Sequence, residues 1–147
     1  MANPNTYAIN IFISHSWSYD EHYEKISEWV FETSWNVDGV PIQFIDYSVP
    51  KTDPIHYASN DRELKQAIDK RIASTHVVVI PSGMYATHSK WIQKEIDGAQ
   101  DYQRPILAVN PYGQERKAGV VLDAAQEGVG WNKKSVINGI WKLYRNQ

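Results

Sequence analysis

Val77-Val78-Val79-Ile80 sets four β-branched residues in succession, and Pro81-Ser82-Gly83 stops the run. Successive strand residues point to opposite faces, so an unbroken apolar run is apolar on both and must be covered on both. A strand of that kind belongs inside a parallel sheet between two layers of helices. The strand predicted from Thr75 to Pro81 therefore fixes the architecture around which the other segments are placed.

Three further runs share its character. Ala8-Ile9-Asn10-Ile11-Phe12-Ile13-Ser14 reads as the first strand, Ile42-Gln43-Phe44-Ile45-Asp46 as the second, and Pro105-Ile106-Leu107-Ala108-Val109 as the fourth. Helical spacing separates them. Ser18-Tyr19-Asp20-Glu21 matches a capping box and opens a helix bearing Tyr23, Ile26, Val30 and Phe31, which ends before Asn36 to Gly39. Asn60-Asp61-Arg62-Glu63 starts a second helix, with Leu64, Ile68 and Ile72 along one stripe. A third is predicted over roughly Thr87 to Tyr102. Between the second strand and second helix, Tyr47 to Ser59 carries Pro50 and Pro54 and reads as a long loop. The polar, Gly-containing tail from Pro111 to Gly130 has room for a short helix near Val121 to Ala125, and Asn132 to Tyr144 closes the chain as an amphipathic helix.

Strands alternating with helices predict an α/β, flavodoxin-like three-layer fold with a central parallel sheet in the order 2-1-3-4-5. At 147 residues, 42% hydrophobic and 22% charged, the chain suits one core, and a single domain over 1–147 is expected. A net charge of -2 gives no electrostatic reason to expect nucleic acid. The absence of cysteine excludes disulfides, thiolate metal sites and a cysteine nucleophile, and suits a reducing compartment. Polar residues Met1 to Thr6 and apolar runs far shorter than a bilayer span give no signal peptide or membrane helix, so the cytoplasm is expected.

Open sheets of this order bind ligands beyond the carboxyl ends of the first and third strands. Those ends deliver Ser14-His15-Ser16-Trp17 and Pro81-Ser82-Gly83, and Tyr85, His88, Ser89 and Trp91 follow soon after. A phosphate-accepting receiver domain needs acidic residues and a phosphorylatable Asp where this chain has Ser14-His15 and Pro81-Ser82, so that reading fails. A flavodoxin would carry a glycine in its phosphate loop, which the stretch from Ser14 to Tyr19 lacks, leaving it a weaker fit.

The opening Ile11-Phe12-Ile13-Ser14-His15-Ser16, the acid-ended Phe44-Ile45-Asp46, the long loop after it and the segment Ser89-Lys90-Trp91-Ile92-Gln93-Lys94-Glu95 resemble a Toll/interleukin-1 receptor (TIR) domain. The similarity is to the bacterial TIR-like group that includes the ThsB subunit of Thoeris antiphage systems, and it spans about Ile9 to Val109. Its most specific element is the Trp-x-x-x-Glu helix. The resemblance implies an NAD-cleaving enzyme, silent until triggered, that makes an ADP-ribose-derived signal, a cyclic isomer among the options, read by a separate effector. NAD+ would be the substrate, with no metal and no resident cofactor. It also implies self-association, with the loop from Tyr47 to Ser59 closing a neighbouring site.

Residues four apart share a helix face, so Trp91 and Glu95 point the same way. Glycosidases commonly pair two carboxylates because an alkoxide leaving group must be protonated. Nicotinamide leaves NAD+ as a neutral molecule, so one carboxylate suffices. By resemblance, Glu95 would hold the ribose hydroxyls and stabilise the oxocarbenium-like transition state. Trp91 would wall the ligand, and Phe12, Ser14, His15 and Asp46 would line the cleft with Ser82, Tyr85 and Ser89. The nucleophile, whether water or an atom of the same molecule, is left open.

Plainer readings compete at each position. Glu95 could be a solvated helix residue, Trp91 a core side chain, and Asp46 the cap of its own turn, the preferred reading there. His15 and His88 suit hydrogen-bonded fold residues better than acids or bases, and His22, His56 and His76 are scattered, so no metal site is expected. Trp29, Trp35, Trp131 and Trp141 read as core or interface anchors. A non-catalytic TIR-like adaptor, or a nucleotide-binding module without turnover, is the alternative function.

Overall fold

The computed structural model describes residues 7–14, 21–32, 35–37, 39–48, 61–82, 85–110 and 119–146, with the side chains of 21–23, 61 and 85–91 outside that description. Among the described residues, six strands and five helices follow in the order β1 (Tyr7–Ile13), α1 (Glu21–Phe31), β2 (Trp35–Val37), β3 (Val40–Asp46), α2 (Asp61–Ile72), β4 (Val77–Pro81), α3 (Tyr85–Asp101), β5 (Ile106–Val109), α4 (Gly119–Ala124), β6 (Glu127–Val129) and α5 (Lys133–Arg145). They build one sheet in the order β2-β3-β1-β4-β5-β6. From β3 to β6 every pairing is parallel, which is the expected flavodoxin-like order.

Strand alternation divides the apolar runs between two cores. Ile9, Ile11, Ile13, Val77, Val79, Leu107 and Val109 pack toward α1 and α5. Phe12, Val78, Ile80, Ile106 and Ala108 pack on the other face, against α2, α3 and α4. The unbroken run in β4 is thus explained, since all five of its residues are buried.

One element departs from the sequence reading, and the fifth parallel strand, which that reading left unplaced, is located. The stretch Asn36 to Gly39, read only as lying past the end of the first helix, belongs to a β-hairpin in which β2 pairs antiparallel with β3, Trp35 opposite Ile42 and Val37 opposite Val40. Gly39 turns it at φ +78, a conformation that glycine adopts without steric cost. The second strand accordingly begins two residues earlier than Ile42. The tail adds β6, which extends the sheet beside β5, so Leu107 opposes Glu127 and Val109 opposes Val129.

The ends of α3 and α5 show how local sequence fixes the boundaries. Asn132 caps α5, its side chain accepting from the Ser135 N–H at 3.1 Å. After α3, the Arg104 N–H reaches the Ala99 carbonyl at 2.7 Å and the Gln103 N–H reaches Gln100 at 3.1 Å, a Schellman closure. Gln103 occupies its left-handed position at φ 56, where glycine is usual.

The tryptophans anchor the α1/α5 layer as the sequence suggested. The Trp29 and Trp131 rings lie 5.1 Å apart, the Trp35 Nε1–H donates to the Trp29 carbonyl at 3.2 Å, and Trp141 is buried. Asn10 and His76 tie β1 to the start of β4 at the opposite end of the sheet from the candidate site. His76 Nδ1 accepts the Asn10 N–H at 2.8 Å, and the His76 N–H donates to the Asn10 carbonyl at 2.8 Å.

Candidate functional site

The alternation that builds the α2/α3 core also determines what caps it. Phe12, Ile80 and Ala108 all belong to that core. Two residues beyond each, at the carboxyl ends of β1, β4 and β5, stand Ser14, Ser82 and Asn110, so the same period carries them to the face that α3 covers. Ser82 and Asn110 meet directly. The Ser82 hydroxyl donates to Asn110 Oδ1 at 3.0 Å, while the Asn110 N–H is held by the Val129 carbonyl at 2.8 Å.

Ser14 and Ser82 are wholly excluded from solvent. The Ser14 N–H donates to the Val79 carbonyl at 2.9 Å, but its hydroxyl has no hydrogen-bond partner among the described residues. Leaving a buried hydroxyl without a partner costs about 1–3 kcal/mol. An apolar residue there would avoid the cost, which makes this hydroxyl a candidate polar contact at the ligand end of the sheet.

At the end of β3, the Tyr47 N–H still bonds to the Ile11 carbonyl at 2.8 Å. The chain then bends, and the Ser48 hydroxyl accepts the Ile13 N–H at 2.8 Å, standing in for the backbone carbonyl the ladder would need. Asp46 Oδ1 accepts the Ser48 N–H at 2.8 Å, fixing the bend. Asp46 is exposed and follows Phe44, which packs toward α1 and α5, so the alternation sets it on the face away from Ser14 and Ser82. The turn-capping reading accounts for it.

Glu95 has 0% relative exposure. It lies three residues after Ile92 and four before Ala99, on the stripe of α3 that faces the sheet beside Ile96. A solvated helix carboxylate is therefore excluded. Taking a carboxylate out of water costs several kcal/mol before any compensation. Its placement among buried apolar residues is the strongest departure from ordinary core composition in the described chain.

The remaining predicted residues divide plainly. Phe12, 1% exposed, sits in the α2/α3 core directly beneath Ser14's level. Tyr85, Ser89 and Trp91 lie on α3, whose backbone is described there while their side chains are not. His15 and the loop segment 49–60 lie outside the described residues. Sequence reasoning missed Asn110 and Ser48. Asn110 follows its strand as directly as Ser14 and Ser82 follow theirs, so the strand-end rule applied to β5 would have found it.

Residues 12–116 match the family described as Thoeris protein ThsB, TIR-like domain. The chain belongs to this family. The matched span of the ThsB-type TIR domain holds Ser14, Ser48, Ser82, Glu95 and Asn110, and α4, β6 and α5 lie beyond it. No curated protein matches the chain. Among the described residues of this TIR-like domain, no helix is long and apolar enough to cross a membrane, and no group of three or more acidic or imidazole side chains could hold a metal.

Proposed function

We propose that this Thoeris-type TIR domain cleaves NAD+ at the nicotinamide–ribose bond and releases an ADP-ribose-derived signalling nucleotide, in cyclic form, during antiphage defence. The observation that carries the reading is the complete burial of Glu95 on the sheet-facing stripe of α3, one turn after Trp91.

The bond from the ribose C1′ to the pyridinium nitrogen breaks, and its electron pair neutralises the ring nitrogen, so nicotinamide leaves without a proton donor. Positive charge develops at C1′ and the ring oxygen. A fixed carboxylate in a site of low dielectric stabilises that charge far better than one in water. Glu95 takes this role and accepts hydrogen bonds from the ribose hydroxyls. Attack by an atom of the same molecule closes a cyclic product, whereas water gives ADP-ribose. In either case a proton passes to solvent and balances the charge of NAD+.

In this reading the wall of the cleft is assigned to Trp91, Tyr85 and Ser89 of α3 and to His15. Ser14 and Ser82 supply hydroxyls at its floor, above Phe12. Asp46 acts through the bend that seats Ser48. The cytoplasm supplies NAD+, self-association through 47–59 completes the site, and a separate effector reads the diffusible product. Chromatography of NAD+ incubated with the protein and with lysate from phage-infected cells tests the reading. Release of nicotinamide with an ADP-ribose-derived product is expected. Its absence under those conditions, together with a cellular phenotype that survives Glu95→Gln and is abolished by changes at 53–57, would favour an adaptor instead.

A further inference from the structure

The Ser82–Asn110 pair is more than a strand-end hydrogen bond. Asn110 is fixed twice, its backbone N–H on the Val129 carbonyl and its Oδ1 on the Ser82 hydroxyl, whose oxygen is fully buried. With Oδ1 accepting from Ser82, the group of the carboxamide left to act as a donor is Nδ2, which carries two N–H donors and no acceptor. The neighbouring strand leaves space for it. The position of a Cβ on Gly128 would lie 3.8 Å from Nδ2, an ordinary contact distance. Gly128 is exposed, so this flank of Asn110 opens outward past the edge of β6.

A donor-only group is complemented by an acceptor-only group. The ribose hydroxyls of a dinucleotide both donate and accept, and so does a carboxamide. The oxygens of its diphosphate only accept. We propose that Asn110, positioned by Ser82, is a specificity-determining residue that binds a diphosphate oxygen of the substrate through Nδ2. This inference rests on the reading of the site as one for NAD+. It places the diphosphate over the ends of β4 and β5, with the Ser14 hydroxyl, which has no partner among the described residues, farther along the same row. Recognition of this kind uses oriented neutral dipoles and needs no cluster of cations, in keeping with a chain of net charge -2.

The test is calorimetric binding of ADP-ribose, which carries the diphosphate and requires no turnover, to the full-length chain and two variants. Asn110→Asp keeps an acceptor for the Ser82 hydroxyl and nearly the same shape, but sets a carboxylate against the phosphate. Affinity is expected to fall about 10- to 100-fold, the range for a hydrogen bond to a charged group, and added salt should recover part of the loss. Asn110→Ala should lose about 10-fold without that recovery. Thermal denaturation confirms that each variant is folded. Unchanged affinity in folded Asn110→Asp, equal losses with no salt dependence, or no ADP-ribose binding by the unaltered chain would overturn the inference. Failure of the NAD-cleaving reading shows separately, as no release of nicotinamide by the triggered protein.

Discussion

Glu95 and Ile92 stand three residues apart on one face of α3, and both are completely shielded from solvent. A carboxylate thus occupies a position that packing alone would give to an aliphatic side chain. For a solvated helix residue, reversal of charge changes stability by no more than about 0.5 kcal/mol. Here Glu95→Lys should cost about 3 kcal/mol or more, because a longer cation would enter the buried stripe. Glu95→Gln, nearly isosteric, should stay within about 1 kcal/mol of the parent. Urea denaturation of the two variants separates these values.

Gly139 brings α5 close to the sheet. A Cβ there would lie 2.9 Å from Leu107 Cδ1 and 3.1 Å from Val129 Cγ1. Overpacking costs about 1–3 kcal/mol, while alanine gains about 1 kcal/mol in helix propensity. Gly139→Ala should therefore be destabilising by about 1 kcal/mol, and Gly139→Leu by about 3 kcal/mol. Gly119 on α4, with nothing within 4 Å of its Cβ position among the described residues, should accept alanine without loss. Thermal unfolding of the three variants makes the comparison.

Gln103 holds φ 56 to close α3. Glycine adopts that conformation freely, although it gives the unfolded chain more freedom. Gln103→Gly should raise stability by about 0.5–1 kcal/mol, seen as a higher denaturation midpoint with an unchanged slope. A lower midpoint would show that the Gln103 side chain contributes more than the strain removes.

His76 gives the fold a dependence on pH. Burial lowers its pKa from the ordinary 6.5, and the nearby Arg104 guanidinium lowers it further. Its Nδ1 must be unprotonated to accept the Asn10 N–H. The unfolded chain therefore binds a proton at a higher pH than the folded one. The contribution is fully present above about 6.5, declines as pH falls through the lowered folded value, and is level below it. Denaturation midpoints measured across that range should decline on acidification, and His76→Gln should flatten the decline.

Legibility in the sequence followed the length and periodicity of each segment. The consecutive β-branched residues of β4 announce a strand buried on both faces, and β1 and β5 carry the same signal. The stripes of α2 and α5 reveal their helices in the same way. β2 and β6, each three residues long, are too short to show a period, and their pairing with β3 and β5 makes them strands. Glu95 was legible because a Trp-x-x-x-Glu helix has a recognisable spacing, but its burial depends on how α3 docks. Ser82 was legible as a strand-end residue. Its bond to Asn110 depends on the register that sets Ile80 beside Ala108, and no local pattern encodes that register. Asp46 shows the converse, since its acid-ended strand drew attention to a cleft while its carboxylate serves the bend at Ser48.

The most direct test of the account is the rate of nicotinamide release from saturating NAD+ by the triggered protein, measured side by side for the unaltered chain and for folded Glu95→Gln. Loss of a preorganised charge at the reacting centre should reduce the rate by about 100-fold or more. Equal rates for the two proteins would contradict the assignment of Glu95 as the catalytic carboxylate.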